Sequence, residues 1–296
     1  MGINTFLWTK SFSASDLGLI EHVHSLGADG IEFACYGFDG FPIDKIRNEL
    51  QRLGMGCTLC TAPFEPELSV IHHTAKARQN GLQYLREAIA VAAKIGARAV
   101  TGPLYAKVGW FTGERRTRQE WDWAISAFKA LGPDLEQHEI TLAIEPMNRW
   151  EAFFIGTAAE GVDLCEAMGN SRIGLLLDTV HMNIEEKSQA RAIQSAGRWL
   201  RHVHVAENDR GTPGTGQTDW QAMFQALWDV SYDGWCMIES FAWYKPEIAG
   251  STCQSAFKFD PVSASNFDPF ERRGLTVALA SSELAGVAET WRARVA

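Results

Sequence analysis

Short apolar, β-rich runs alternate with stretches of helical periodicity along the whole 296-residue chain, eight times in all. The strand-like runs are GINTFLW from Gly2, GIEFACY from Gly30, CTLCTAPF from Cys57 and RAVTGPLY from Arg98. They continue with TLAIEP from Thr141, IGLLLDT from Ile173, RHVHVAE from Arg201 and WCMIESF from Trp235. The intervening stretches carry start and stop signals for helices. Leu17, Ile20, Val23 and Leu26 keep helical spacing before Gly27, Pro42 opens a pattern that stops at Gly54, and a long one covers about 74–96. Pro133 interrupts the pattern TRQEWDWAISAFKALGPDLEQHE and predicts a kink or a break there. Alternating β and α imply a parallel sheet covered by helices. Eight such units predict one closed (β/α)8 barrel, a TIM barrel, with 1–296 as a single domain. No G-x-G-x-x-G follows a strand, so a dinucleotide-binding sheet is disfavoured. One segment breaks the rhythm: 242–270, aromatic and punctuated by proline, follows the eighth strand and reads as a long loop covering the barrel mouth.

The last four strand-like runs each end in a side chain able to ligate a metal: Glu145, Asp178, His204 and Glu239. A barrel of this type spends roughly 31 residues per unit, and the spacings of 33, 26 and 35 residues place one candidate ligand on each successive strand. Carboxylates gathered at buried strand ends repel one another unless positive charge sits among them. A divalent cation meets that need, and three carboxylates with one imidazole suit Mn2+ or Mg2+, with Co2+ tolerated. His202 and His204 share one face of their strand. His204, nearer the strand's C-terminal end, is the expected ligand, and His202 fills the layer beneath. Glu151, His181 and Arg210 follow three of the ligands by three to six residues and are expected on βα loops around the metal, where they suit a polyhydroxylated ligand. Asn148, Arg149, Asn183 and Glu207 are weaker candidates, as supporting partners or helix caps. Glu145 and Glu239, from the fifth and eighth strands, approach a bound substrate from different sides. That arrangement suits removal of a proton next to a carbonyl and its return to the opposite face.

A formal charge of −9 argues against nucleic acid or an anionic membrane as partner. No apolar run approaches the roughly 18 to 20 residues of a membrane span, and no secretion signal is read in MGINTFLWTK. The six cysteines, mostly within apolar runs, read as reduced thiols of a cytoplasmic protein. Cys57 and Cys60 form a C-x-x-C with no second pair, and residues three apart on a strand face opposite ways, so neither a zinc site nor a redox pair is expected.

The strings IEPMNRWE, LLLDTVHMNIEE, HVHVAENDRGTPGTG and IESF resemble those of the ketose 3-epimerases. That family comprises the D-tagatose, D-psicose (allulose) and L-ribulose 3-epimerases, within the xylose-isomerase-like (β/α)8 superfamily. The match is close over about residues 139–241 and looser but collinear from Gly2 to Leu104. The resemblance implies that Glu145, Asp178, His204 and Glu239 bind one divalent metal, usually Mn2+, and that Glu145 and Glu239 are the acid/base pair. It implies that Glu151, His181 and Arg210 hold the C1–C3 end of a free ketose, which is epimerised at C3 through a metal-stabilised cis-enediolate. It implies a homodimer or homotetramer, to which the helix bearing Trp121 and Trp123 is a candidate contributor. The eighth strand reads ESF where many relatives have EPF, and the segment after it is longer and more aromatic. With Trp8, Trp110 and Trp243 as candidate wall residues of the pocket, these departures bear on the substrate. They motivate an alternative on the same scaffold: an aldose–ketose or hydroxypyruvate-type isomerase, or a lyase acting on 3-keto-glycosides. A non-catalytic sugar-binding barrel is a further alternative, disfavoured by the presence of both glutamates.

Overall fold

The computed structural model describes residues 1–241. Its eight strands are β1 Gly2–Asn4, β2 Gly30–Ala34, β3 Gly56–Cys60, β4 Ala99–Gly102, β5 Thr141–Ile144, β6 Ile173–Asp178, β7 Leu200–Val205 and β8 Trp235–Ile238. They form a closed barrel in sequence order. All neighbours are parallel, and β8 returns to β1 through the pairs Gly2 with Met237 and Ile3 with Ile238. The expected barrel is therefore present, and segment 242–270 lies outside the described residues. Among the described residues no helix is long and apolar enough to cross a membrane.

The helices are α1 Gly18–Ser25, α2 Ile43–Leu53, α3 Ala75–Ile95, α4 Arg118–Ala130, α5 Gly132–His138, α6 Ala158–Met168, α7 Thr179–Glu185, α8 Gln189–Ala196 and α9 Trp220–Asp229. Their ends obey the local chemistry of the sequence. Thr74 caps α3 by accepting the N–H of Ala77, and Gly96 ends it in the left-handed conformation that only glycine adopts without strain. Pro133 marks a break: α4 stops at Ala130 and α5 begins at Gly132, with proline in its first turn, where no N–H is required. One helix was not foreseen. Asp178 ends β6 and caps α7 at once, its Oδ1 accepting from the N–H of Val180 at 2.6 Å, and seven residues are too few to show a periodic face.

Strand parity divides the barrel wall. Ile31, Phe33 and Leu59 belong to the apolar core shared with the helices, whereas Asn4, Glu32, Thr58, Thr101, His202 and His204 form a buried polar set. Below this layer Gly30 and Gly56 leave room for one side chain from β8. A Cβ at either would lie 2.6 or 2.5 Å from the Trp235 indole. Above it, the C-terminal strand ends open into a cleft.

Candidate active site

Each of the four expected ligands sits where its strand finishes. Asp178 is the last residue of β6 and pairs in register with His204 of β7. Glu145 and Glu239 lie one residue beyond β5 and β8, their N–H groups bonded to Gly102 O and Val205 O, each at 3.0 Å, so the ladder holds their backbones. One ligand-capable atom from each of the four lies within 4.8 Å of the other three. All four are buried, between 0% and 4% exposed, a place that strands from successive units reach only when the ring closes.

Positive charge reaches this cluster from one side. Arg210 Nη1 contacts Asp178 Oδ2 and lies 3.2 Å from Glu239 Oε2. Its Nη2 is 3.1 Å from His181 Nε2, and its guanidinium lies over the Phe241 ring at 4.6 Å. Burial disfavours an ionised Asp178, but Arg210, His181 and His204 outweigh it and hold the carboxyl well below its usual range. Glu239 behaves oppositely: burial pushes it up to about 7 against the pull of His204 and Arg210, with Glu145 adding repulsion. Burial also opposes charge on His204, yet Glu239 and Glu32 raise it well above the ordinary imidazole range.

Beneath the cluster lies Glu32, which the sequence reading passed over. His204 Nε2 is 2.6 Å from Glu32 Oε2, and His202 Nε2 is 3.0 Å from Oε1, so His202 fills the lower layer as expected. Thr58 and Thr101 donate to Oε1 at 2.8 and 2.9 Å, and Asn4 donates to Oε2 at 2.8 Å. The same Asn4 amide reaches Glu239 Oε1 at 3.3 Å. Strand parity would have found Glu32, a lone carboxylate between Ile31 and Phe33 and therefore facing inward. Burial of such a group demands partners.

The cleft over the cluster is open to solvent and has about 450 Å³ of empty space, solvent included. Glu145, Glu151, His181, Arg210 and Glu239 line its polar side. His181 is not on a loop, as expected, but in the first turn of α7, where Asn148 Nδ2 meets its Nδ1 at 2.9 Å. Asn148 also donates to Glu151 at 2.8 Å and so joins two of the lining residues. Glu207 is buried and organises the Arg210 loop, its carboxylate accepting from the N–H groups of Gly214 and Thr218 and from Trp220 Nε1. Arg149 turns away to Glu185, and Asn183 is exposed. The apolar lining of the cleft differs from expectation. It is made by Phe6, Tyr36, Pro103, Val108 and Phe241. Trp8 stands edge-on to His22, and Trp110 stacks on His72 and meets Phe153, both away from the wall. Trp243 lies outside the described residues. Trp121 and Trp123 take Arg116 and Arg78 over their rings within the chain. Cys57 approaches Ile95 O while Cys60 lines the cleft, the opposite facing that their spacing predicts.

Two buried atoms of the cluster, His204 Nδ1 and Glu145 Oε1, have no aligned hydrogen-bond partner among the described residues. Unpartnered ligand-capable atoms of this kind in an oxygen-rich set with one imidazole nitrogen fit a hard divalent cation, which would take the place of a proton on Nδ1. The donors present could therefore hold one divalent metal ion.

Comparison with known proteins agrees with this geometry. The family model described as xylose isomerase-like TIM barrel matches residues 20–253. A probable ketose 3-epimerase from Synechocystis sp. is 33% identical over 248 residues, covering 84% of this chain and 86% of that protein. The L-ribulose 3-epimerase of Mesorhizobium japonicum is 33% identical over 244 residues, covering 82% and 81%. A solved L-ribulose 3-epimerase superposes with a TM-score of 0.88 at 27% identity, covering 96% of this chain and 95% of that one. D-psicose 3-epimerase solved in the presence of D-fructose gives 0.86 at 25% identity, covering 95% and 99%. An eight-stranded closed barrel, a ligand-like cluster on its last four strands and a family match over most of its length lead to one statement: this chain belongs to the xylose isomerase-like TIM barrel family.

Proposed function

We propose that this protein is an isomerase that epimerises a free ketose at C3 with the help of one divalent metal. The observation that carries the reading is the convergence of Glu145, Asp178, His204 and Glu239 beneath a cleft lined by Glu151, His181 and Arg210. Glu145 and Glu239 enter the centre from β5 and β8, three strands apart in the ring. One carboxylate takes the proton from C3, whose bonding pair moves into an enediolate of the sugar. The other delivers a proton to the opposite face, forming the new C–H bond and inverting the centre. A divalent cation held by the four side chains, Mn2+ by preference with Co2+ or Mg2+ as substitutes, supplies positive charge where negative charge develops on the ketose oxygens. Glu151 accepts from substrate hydroxyls, while His181 and Arg210 donate to the C1–C3 end. Among the described residues lining the cleft, Arg210 alone carries a fixed positive charge and it is already paired with two carboxylates, which favours an unphosphorylated sugar. The relatives named L-ribulose 3-epimerase and D-psicose 3-epimerase support a ketose as substrate.

Dialysis against EDTA is expected to abolish turnover, Mn2+ or Co2+ to restore it, and deuterium from D2O to enter C3. Full activity in chelator, or turnover without solvent exchange, refutes the reading. A panel of D-psicose, D-tagatose, D-fructose and L-ribulose against 3-keto-glycosides separates this activity from other enzymes on the same scaffold.

A further inference from the structure

Glu32 sits under the proposed metal centre without lining the cleft, wholly buried, and both its oxygens are engaged. Thr58 and Thr101 give their hydroxyl protons to Oε1, and Asn4 gives an amide proton to Oε2. A carboxylate receiving donors at both oxygens is an acceptor throughout, so the proton in its 2.6 Å contact with His204 Nε2 belongs to the imidazole. The remaining ring nitrogen, Nδ1, points the other way. It lies 3.1 Å from Glu239 Oε2 and 3.9 Å from Asp178 Oδ2, with no aligned partner of its own. Imidazole ligands need one nitrogen free, and the bond made by the other nitrogen decides which.

We infer that Glu32 is a positioning residue: it holds His204 with hydrogen on Nε2 so that Nδ1 faces the metal, and through Asn4 it also orients Glu239. The inference rests on the metal-dependent reading above and extends it to a residue that touches neither metal nor substrate. Asn4 is the second arm. Its amide spans Glu32 Oε2 and Glu239 Oε1, while its Oδ1 accepts from the Phe6 N–H at 2.9 Å and so cannot rotate freely. One buried carboxylate on β2 thus aims two of the four side chains of the centre, from β7 and β8.

The test is Mn2+ binding by calorimetry to EDTA-stripped protein, with thermal unfolding of the metal-free forms measured alongside. Glu32→Gln keeps the shape but replaces the charged acceptor facing His204 Nε2 with a neutral amide, whose NH2 group meets N–H donors if it takes the Oε2 place. The expected result is Mn2+ affinity about 10- to 100-fold weaker than wild type. Unchanged affinity in a folded Glu32→Gln protein, even with a lowered melting temperature, overturns the inference and leaves Glu32 a structural group. Wild-type protein provides a second reading that needs no variant. Its 15N NMR spectrum with Mg2+ bound should show His204 protonated on Nε2, and a proton on Nδ1 overturns the inference. Failure of wild-type protein to bind Mn2+ at all overturns both this inference and the proposed function, whereas equal binding by wild type and variant removes only the inference.

Discussion

Replacing Arg210 by methionine removes the fixed positive charge of the cleft while keeping most of the stem volume. Arg210 is 4% exposed, and its Nη1 contacts both Asp178 and Glu239, so the change leaves two buried carboxylates in the company of Glu145 with far less compensation. Breaking a buried pair by removing one partner costs about 3–5 kcal/mol. A chain of this length has an unfolding entropy of about 0.6 kcal/mol/K, so the metal-free Arg210→Met protein should melt about 5–8 °C below wild type. Added Mn2+ supplies charge to the same carboxylates and stabilises whichever form binds it. Saturating Mn2+ should therefore raise the melting temperature of the variant more than that of wild type. Scanning calorimetry of EDTA-treated protein, with and without Mn2+, measures both quantities. Equal melting of the two metal-free proteins would show that the carboxylates do not depend on Arg210. An equal Mn2+ shift would show that cation and guanidinium do not share them.

Glu145→Gln and Glu239→Gln, assayed at saturating Mn2+, should each lower epimerisation about 10²- to 10⁴-fold. Each should still exchange the C3 proton of one epimer with D2O, and exchange of both epimers by both variants would disprove the two-carboxylate scheme. Gly30→Ala drives a Cβ to 2.6 Å from the Trp235 ring and should destabilise the barrel by about 1–3 kcal/mol in urea unfolding, with wild-type stability as the contrary result. Burial works against ionisation of Glu160, but the Gly156 N–H and Arg116 prevail and lower its pKa. A depressed folded pKa contributes stability above the ordinary value of 4.5, lost as pH falls through the folded value. Glu160→Gln should therefore lose stability near neutral pH and converge with wild type in acid, and a constant difference at all pH values would refute this.

Much of this protein is local and therefore legible along the chain. Alternating periodicities, with stops such as Gly54 and Gly96, specify eight units. Parity places His202 below His204, and the four ligand candidates stand at strand ends because each unit contributes its own. The other half of the site is set by closure of the ring. Glu32 meets His204 across 172 residues and Asn4 meets Glu239 across 235, distances over which no periodic pattern carries information. The apolar lining likewise gathers Phe6, Tyr36, Val108 and Phe241 from separate connections beyond the strand ends. Trp8 and Trp110, the aromatics expected there, turn to other partners, because loop direction rather than residue type decides what faces the cleft. Local spacing thus determined the barrel and the strand ends that carry the candidate ligands, whereas β8 pairing with β1 decided which buried groups lie against them.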